Sequence, residues 1–496
     1  MAEAAQILSL LTSTPLVLFV VAGVAWGIAG GALPGISPSI SMALLVPFTY
    51  GVDPASAIVL LASVYVGAEY GGSIPAVLIN TPGTNAAAAT ALDGYAMHRK
   101  GHGAEALGIS LYSGVIGAVV GLVMLVALTG PLARLALAFT PMSYFGLGVL
   151  GLSIIASLSG GSTLKGLAAG LLGLMIASIG SDPISGLPRF TFGRPELLDG
   201  IAPVLAMVGL FAVSELLEQS STGVWRKTET LRLRLPGAAL RRRLIRPQII
   251  GSAIGTVEGV MPGAGGTVAS FLAYNEARRW SSNKAEFGNG SPEGIAAPEC
   301  ANNAVAATAL IPVLSFGIPG SNSAAILLGG LLIHGLTPGP TLFAENPDLI
   351  LALYTGLFVA ALALAVLGMV TLPVCLWLVN RSKGYLMAFI FALIFSGVYS
   401  INNSLFDVAL VLAFGVGGFL MRILGLPVLP TLLGVVLGYL VESHYRRSLV
   451  LSGGDHAIFA EDGIAIALLT LACVFIAASL GTRLWRAVRE IRGPRT

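Results

Sequence analysis

Apolar runs without a charged residue set the rhythm of this chain. Residues 4–52, 106–133, 135–164, 300–344, 349–380 and 463–482 contain no Asp, Glu, Lys or Arg. A membrane-crossing helix needs about 20 mostly apolar residues, so several of these runs hold one span plus a hairpin or a second crossing. The pattern predicts plain hydrophobic helices at 104–128, 135–158, 163–179 and 200–218. Further along it predicts helices at 348–379, 385–400, 405–421 and 426–441, then a polar stretch at 442–462 and one more helix at 463–482. At about 20 residues per span, the chain is expected to cross about 10–13 times. A soluble core of this size would alternate with charged faces, and this pattern does not. The expected fold class is an all-α polytopic membrane protein.

Two interruptions of the apolar pattern recur. Gly31-Ala32-Leu33-Pro34-Gly35 has the same form as Gly259-Val260-Met261-Pro262-Gly263, and small or hydroxyl residues follow each. Ile74–Asn85 aligns without gaps on Ile311–Asn322, sharing Ile-Pro, six residues, Pro-Gly, Ser/Thr and Asn. Two motifs in the same order in both halves mark a duplication. The first repeat is expected over residues 1–220, with motifs at 30–39 and 74–85 followed by plainer helices. A basic linker at 221–247 leads to the second repeat at 248–441, with motifs at 259–267 and 311–322. Residues 442–496 form a polar loop, an extra helix and a basic tail. Inverted repeats need an odd number of crossings per half, and the helix at 463–482 restores the parity that two cytoplasmic basic segments require.

Composition agrees with the pattern. Hydrophobic residues make up 55% of the chain and charged ones 10%, against roughly 25% charged in ordinary soluble proteins. The 63 glycines exceed the roughly 7% of average usage and suit close helix packing in a membrane. Basic residues crowd between Arg226 and Arg246, where Glu229 is the only acid, and recur in the tail at Arg483, Arg486, Arg489, Arg492 and Arg495. In so hydrophobic a chain these segments read as cytoplasmic anchors of a multi-pass inner-membrane protein rather than as nucleic-acid contacts. Cys300, Cys375 and Cys473 have neither disulfide nor metal spacing. The N-terminus, with Glu3 and no basic residue before its apolar stretch, reads as a retained membrane segment.

The Pro-Gly motifs carry the candidate chemistry. Pro removes an amide donor and Gly permits positive φ, so Pro34, Pro82, Pro262 and Pro319 are expected to break helices. Broken helices are tolerated at membrane depth where protein or a hydrated cavity satisfies the freed groups. Paired breaks at matching places in two halves point to a transporter's central site. Half-helix N-termini suit a carboxylate, while carbonyls and hydroxyls suit a small cation such as Na⁺. Ser37, Ser39, Asn80, Thr81, Gly83, Thr84 and Asn85 are expected to face Gly263, Gly265, Gly266, Thr267, Gly317, Gly320, Ser321 and Asn322. Asn302 and Asn303 join them as site or supporting residues, because amides can be buried without a charge penalty. Glu69 and Glu299 are either charged contributors to the site or markers of interfacial helix ends. His334 reads as a packed, neutral imidazole. There is no Walker lysine loop, no His-Glu-x-x-His and no nucleophile triad at a motif-like site, so no catalytic residue and no cofactor are expected.

At these residues the chain resembles the large membrane subunit of the tripartite tricarboxylate transporter family. The resemblance rests on Gly31–Ser39, Tyr70–Asn85, Glu258–Gly266, Glu293–Asn303, Leu310–Asn322 and His334–Pro340, and extends from about residue 15 to the C-terminal helices. Cys300 departs from it, standing where Ala is commoner, as a small apolar substitute. The resemblance implies a small four-helix membrane subunit and a periplasmic solute-binding protein as partners. It also implies import of small carboxylates such as citrate, coupled to Na⁺ or H⁺, by an elevator-like movement. Lipids are the surrounding solvent, nucleic acid is not a partner, and a homo-oligomer is compatible with the pattern. The competing readings are a stand-alone carrier or channel, a membrane-embedded enzyme and a scaffold protein. A channel would show charged rings or a carbonyl filter, and an enzyme clustered His, Asp or Arg at the interface.

Overall fold

A computed structural model describes residues 9, 13–33, 36–158, 162–182, 185–220, 231–261, 265–379 and 383–491. Helices α1 (Thr14–Ala32), α2 (Pro38–Leu45), α3 (Pro54–Gly71), α4 (Ser73–Ile79), α5 (Ala87–Arg99) and α6 (Gly103–Ala136) come first. Next are α7 (Pro141–Leu158), α8 (Thr163–Ala177), α9 (Pro203–Met207) and α10 (Ser214–Ser220), the last two joined by a π-helical stretch at Val208–Val213. The chain continues with α11 (Ala238–Val260), α12 (Gly265–Trp280), α13 (Pro292–Thr308), α14 (Leu310–Phe316) and α15 (Asn322–Ile333). Then follow α16 (Pro340–Glu345), α17 (Pro347–Val370), α18 (Leu372–Val379), α19 (Lys383–Asn402), α20 (Leu405–Ile423), α21 (Val428–Leu451) and α22 (Gly463–Ile491). Among the described residues the only strands are the antiparallel pair Gly180–Ser181 and Pro188–Arg189.

Proline starts many of these helices, because its missing N–H is an orphan donor at the first turn anyway. It stands first in α2, α3, α7, α13 and α17. Asp53 caps α3 by accepting from Ser56 N–H at 3.0 Å, and Ser37 caps α2 by accepting from Ile40 N–H at 3.3 Å. Six segments among the described residues are long and apolar enough to span a membrane: 14–32, 54–79, 103–136, 347–370, 405–423 and 428–451. Further apolar helical stretches are Pro38–Thr49, Pro141–Ser157, Thr163–Ala177, Asn322–Ile333, Met387–Asn402 and Gly463–Ser479.

Some expected boundaries move, each for a physical reason. The helix expected at 104–128 runs to Ala136 through Pro131, since a membrane helix tolerates the single lost hydrogen bond. Its successor then begins at Pro141 rather than 135. The helix expected at 348–379 divides at Thr371, ahead of Pro373. The helix expected to end at 441 continues to Leu451, because its charges are paired: Arg189 grips Glu442 at 2.6 and 3.1 Å, and Arg446 pairs with Asp182. Basic residues Arg241–Arg246 lie in the first turns of α11 rather than in a free linker.

The chain forms two compact units, Met1–Ala136 with Phe211–Ala409, and Leu137–Leu210 with Leu410–Thr496. In the first unit, α3 continued by α4 is almost wholly buried and forms the centre. Glycines let neighbouring backbones touch it. A Cβ on Gly27 would lie 2.3 Å from Val64 O, and one on Gly31 2.2 Å from Ala68 O, so α1 packs on α3 with nothing between the main chains. The second half repeats the seam with the same spacing: Gly251 meets Ala297 O at 2.2 Å and Gly255 meets Ala301 O at 2.3 Å, joining α11 to α13. Cys300 is buried in the neighbouring seam, its backbone oxygen 2.4 Å from a Cβ built on Gly117 of α6. This is the small residue the sequence calls for at that position.

The second unit packs α8 on α21 in a similar way, with Thr431 Oγ1 donating to Ala169 O at 2.9 Å. Asp462 caps α22, accepting from Thr140 Oγ1 at 2.5 Å, Ser143 Oγ at 2.9 Å and Ala465 N–H at 2.7 Å. Burial alone would raise its carboxyl, but these hydrogen bonds outweigh it and hold Asp462 below the ordinary value.

Overpacking a seam where a backbone oxygen is the obstacle forces the helices apart. Gly255→Val is expected to cost about 3 kcal/mol, read as a lower unfolding midpoint of the detergent-solubilised protein by tryptophan fluorescence. Gly417→Ala, where a Cβ meets open space, leaves the midpoint unchanged or raises it.

Candidate functional site

Both Pro-Gly tips in the first unit are built the same way. Pro75 and Pro312 stand third in α4 and α14, dividing them from the helices before. Each short helix then ends on a left-handed residue, Asn80 at φ 55° and Gly317 at φ 71°. Asn is among the few side-chain-bearing residues that tolerate this region. The turns close alike: Thr81 N–H donates to Pro75 O at 3.3 Å and Ile318 N–H to Pro312 O at 3.3 Å. The glycine of each Pro-Gly pair lies on a carbonyl of the other motif in its half. A Cβ on Gly83 would stand 1.9 Å from Gly31 O, and one on Gly320 2.8 Å from Gly259 O. Thr84 Oγ1 then accepts from Ala87 N–H at 3.2 Å to start α5, and Ser321 Oγ accepts from Ala324 N–H at 3.1 Å to start α15.

Residues of the two halves meet around these tips. Ser39 Oγ lies 3.3 Å from Ser323 Oγ, and Tyr65 OH 3.1 Å from Ser321 Oγ. A Cβ on Gly265 would lie 3.4 Å from Ser321 Cβ, and one on Gly266 2.3 Å from Asn302 Oδ1 and 3.5 Å from Ala86 Cβ. Glu299, at 1% exposure, accepts from Ser73 Oγ and Thr90 Oγ1, both at 2.5 Å on the same carboxylate oxygen. Asn303 Nδ2 donates to Glu299 O at 3.0 Å. Glu69 is buried on α3, within electrostatic reach of Glu299 and beside Asn302 without a well-formed hydrogen bond. Both carboxylates therefore lie in the interior of the first unit and not at exposed helix ends.

Several polar atoms there are buried without a protein partner: Glu69 Oε2, Glu299 Oε2, both side-chain atoms of Asn302, and Asn303 Oδ1. Buried groups of this kind are normally satisfied by water or ligand, which suits a polar solute or a cation. Among the described residues no group of three or more His, Cys, Asp or Glu side chains converges. A cation here would thus be held by amide, hydroxyl and backbone oxygens with a carboxylate.

The other sequence-chosen residues divide by role. Ser37 caps α2, and Asn80 serves as the left-handed turn residue. Asn80, Thr81 and Asn85 are exposed, Pro82 is half-buried, and Thr81 Oγ1 donates only to Ile79 O at 3.3 Å. Pro319, Gly317 and Gly320 are buried, while Thr267, Ser321 and Asn322 are half-buried. Among the described residues neither Asn85 nor Asn322 uses its side-chain amide in a hydrogen bond, which leaves both able to serve a ligand. Pro34, Pro262 and Gly263 lie outside the described residues. His334 is half-buried, its Nε2 3.3 Å from Thr49 Oγ1. Sequence reasoning missed Tyr65, Ser73, Thr90 and Ser323. The four-residue step from Tyr65 to Glu69, which sets both on one helix face, was the available signal for the first.

A many-helix membrane protein with paired, polar broken-helix tips in one compact unit fits the transporter class. Comparison with known proteins agrees. The model of the Tripartite tricarboxylate transporter TctA family matches residues 17–433, and the chain belongs to that family, as the large, multi-pass membrane subunit of a tripartite transporter. An uncharacterized 52.8 kDa protein in the TAR-I ttuC' 3' region of Agrobacterium vitis is 38% identical over 443 residues, 88% of each chain. A second uncharacterized Agrobacterium vitis protein, in the TAR-II ttuC' 3' region, is 39% identical over 228 residues, 46% of this chain and 93% of its own. No solved structure matches.

The shared acceptor on Glu299 makes its two donors interdependent. Ser73→Ala and Thr90→Val are each expected to cost about 1–2 kcal/mol. The double variant should depart from additivity by about 0.5 kcal/mol or more. A double-mutant cycle on unfolding midpoints measures this, and strict additivity would contradict a common acceptor.

Proposed function

We propose that this chain is the permease subunit of a binding-protein-dependent secondary transporter in the bacterial inner membrane. It imports small organic anions, di- and tricarboxylates such as citrate, driven by a gradient of Na⁺ or H⁺. A periplasmic solute-binding protein delivers the substrate, and a small four-helix membrane subunit completes the assembly. The observation that carries this reading is the matched pair of tips, each closed on a left-handed residue and followed by a helix whose first turn donates to a tip hydroxyl, Thr84 or Ser321. The N-termini of α5 and α15 offer N–H groups and a partial positive charge to a substrate carboxylate. The buried carboxylates, Asn302 and neighbouring hydroxyls offer oxygens to the coupling cation.

The two halves are read as inverted repeats, with the basic segment before α11 and the C-terminal tail cytoplasmic. The same division of the chain supports an elevator-like cycle: one compact unit holds both tips, and the other holds neither. In that cycle the tip-bearing unit carries the solute and the second unit contributes scaffold.

Proteoliposomes containing this chain, the small subunit and a cognate binding protein should accumulate a carboxylate when a Na⁺ or proton gradient is imposed. Uptake that needs neither gradient nor binding protein would sink the reading. Asn85→Leu and Asn322→Leu should each lower uptake by about tenfold or more, the scale of a hydrogen bond to a charged ligand, with membrane insertion unchanged. Normal uptake in both variants would move the site elsewhere.

A further inference from the structure

An apolar groove runs between α6 and α11 on the first unit. Its volume is about 570 Å³, and Ile116, Val120, Met124, Ile249, Ala253 and Thr256 are among its walls. The wall residues of α6 recur every four positions, and the series begins one turn earlier with Tyr112. On α11 the wall residues Ile245, Ile249, Ser252 and Thr256 share a face with Arg242. The groove is thus apolar along its length and basic at one end.

That basic end is well furnished. Arg241 lies over the Tyr112 ring at 5.5 Å, bridging the two helices that form the groove, and Arg246 lies over Trp280 at 5.6 Å. Tyr and Trp beside basic residues mark a membrane interface. Arg243 is committed to Glu286 and Glu293. By contrast Arg241, Arg242 and Arg246 are exposed, and among the described residues none of them pairs with a carboxylate.

We infer that this groove binds one anionic phospholipid, its phosphate on Arg242 and Arg246 and an acyl chain along Ile249, Val120 and Met124. The wall from Ile245 to Thr256 rises about 16 Å, close to half of the ~30 Å hydrocarbon core, so the groove reaches about one leaflet deep. Its size falls within the roughly 300–1,000 Å³ of ligand pockets. A transmembrane helix of a partner is the weaker occupant, because helices in this unit dock through glycines. Gly117 and Gly121 of α6 and Gly251 and Gly255 of α11 all turn toward α13, while the groove walls are mostly branched or long side chains.

The test uses the full chain in detergent, titrated with phosphatidylglycerol and with phosphatidylcholine of equal chain length, and counts bound lipid by native mass spectrometry. Phosphatidylglycerol should fill one site, and the Arg242→Gln/Arg246→Gln double variant should weaken it about 30-fold, as expected for two basic residues beside an anionic headgroup. Ala253→Trp, which fills the groove, should remove binding with both arginines intact. Equal affinity for phosphatidylcholine, or phosphatidylglycerol binding indifferent to both variants, overturns the inference. A photo-crosslinker on Ile249→Cys in a Cys473→Ser background should label lipid in membranes; capture of the small membrane subunit instead also overturns it.

Discussion

A helix broken inside a hydrocarbon layer frees backbone N–H and C=O groups that lipid cannot satisfy, and this constraint organises the first unit. The solution here is contact between main chains. Gly27 and Gly31 press α1 against the carbonyls of α3, Gly251 and Gly255 press α11 against α13, and each tip rests its Pro-Gly glycine on a carbonyl of its own half. A side chain at Gly83 or Gly320 would push its tip off that carbonyl, and one at Gly27, Gly31, Gly251 or Gly255 would part the helices. The seams are therefore what allows an irregular backbone to exist at this depth.

The halves match in backbone and differ in charge. On the alignment that pairs Ile74 with Ile311, Ala306 stands where the first half has Glu69, and Ala62 where the second half has Glu299. Each half thus contributes a single carboxylate, and they come from non-equivalent positions. Glu299 reaches across to Ser73 and Thr90 of the first half, and Tyr65 of the first half reaches Ser321 of the second. The two turns match in backbone, yet the polar cluster between the halves is asymmetric.

Much of this was legible in the sequence because breaks are local. Pro and Gly act through their own backbone, so the tips at Asn80–Asn85 and Gly317–Asn322 could be placed by reading alone, as could most plain helices. What escaped depends on distant partners. Nothing near Glu299 in the chain announces that Ser73 and Thr90 will donate to it. The extension of α21 past residue 441 depends on Arg189 and Asp182, far upstream, neutralising Glu442 and Arg446. The helix expected to end at 128 continues as α6 through Pro131 to Ala136, because the membrane setting outweighs local propensity. The glycine seams were legible too, as a four-residue spacing repeated in both halves, but read as composition they carried no register.

Lipid tails are as apolar as leucine, so burying Leu or Val between helices contributes little to association in a membrane. The exposed Leu171, Met175, Val366 and Leu420 lose little by facing outward. Stability in the first unit must come instead from close packing and from polar groups that find each other, including Glu299 with its hydroxyl donors and Tyr65 with Ser321. These are the groups from which the site is built. The buried atoms without a protein partner there, on Glu69, Asn302 and Asn303, carry a desolvation cost. Packing in the first unit and the candidate site thus draw on the same polar cluster.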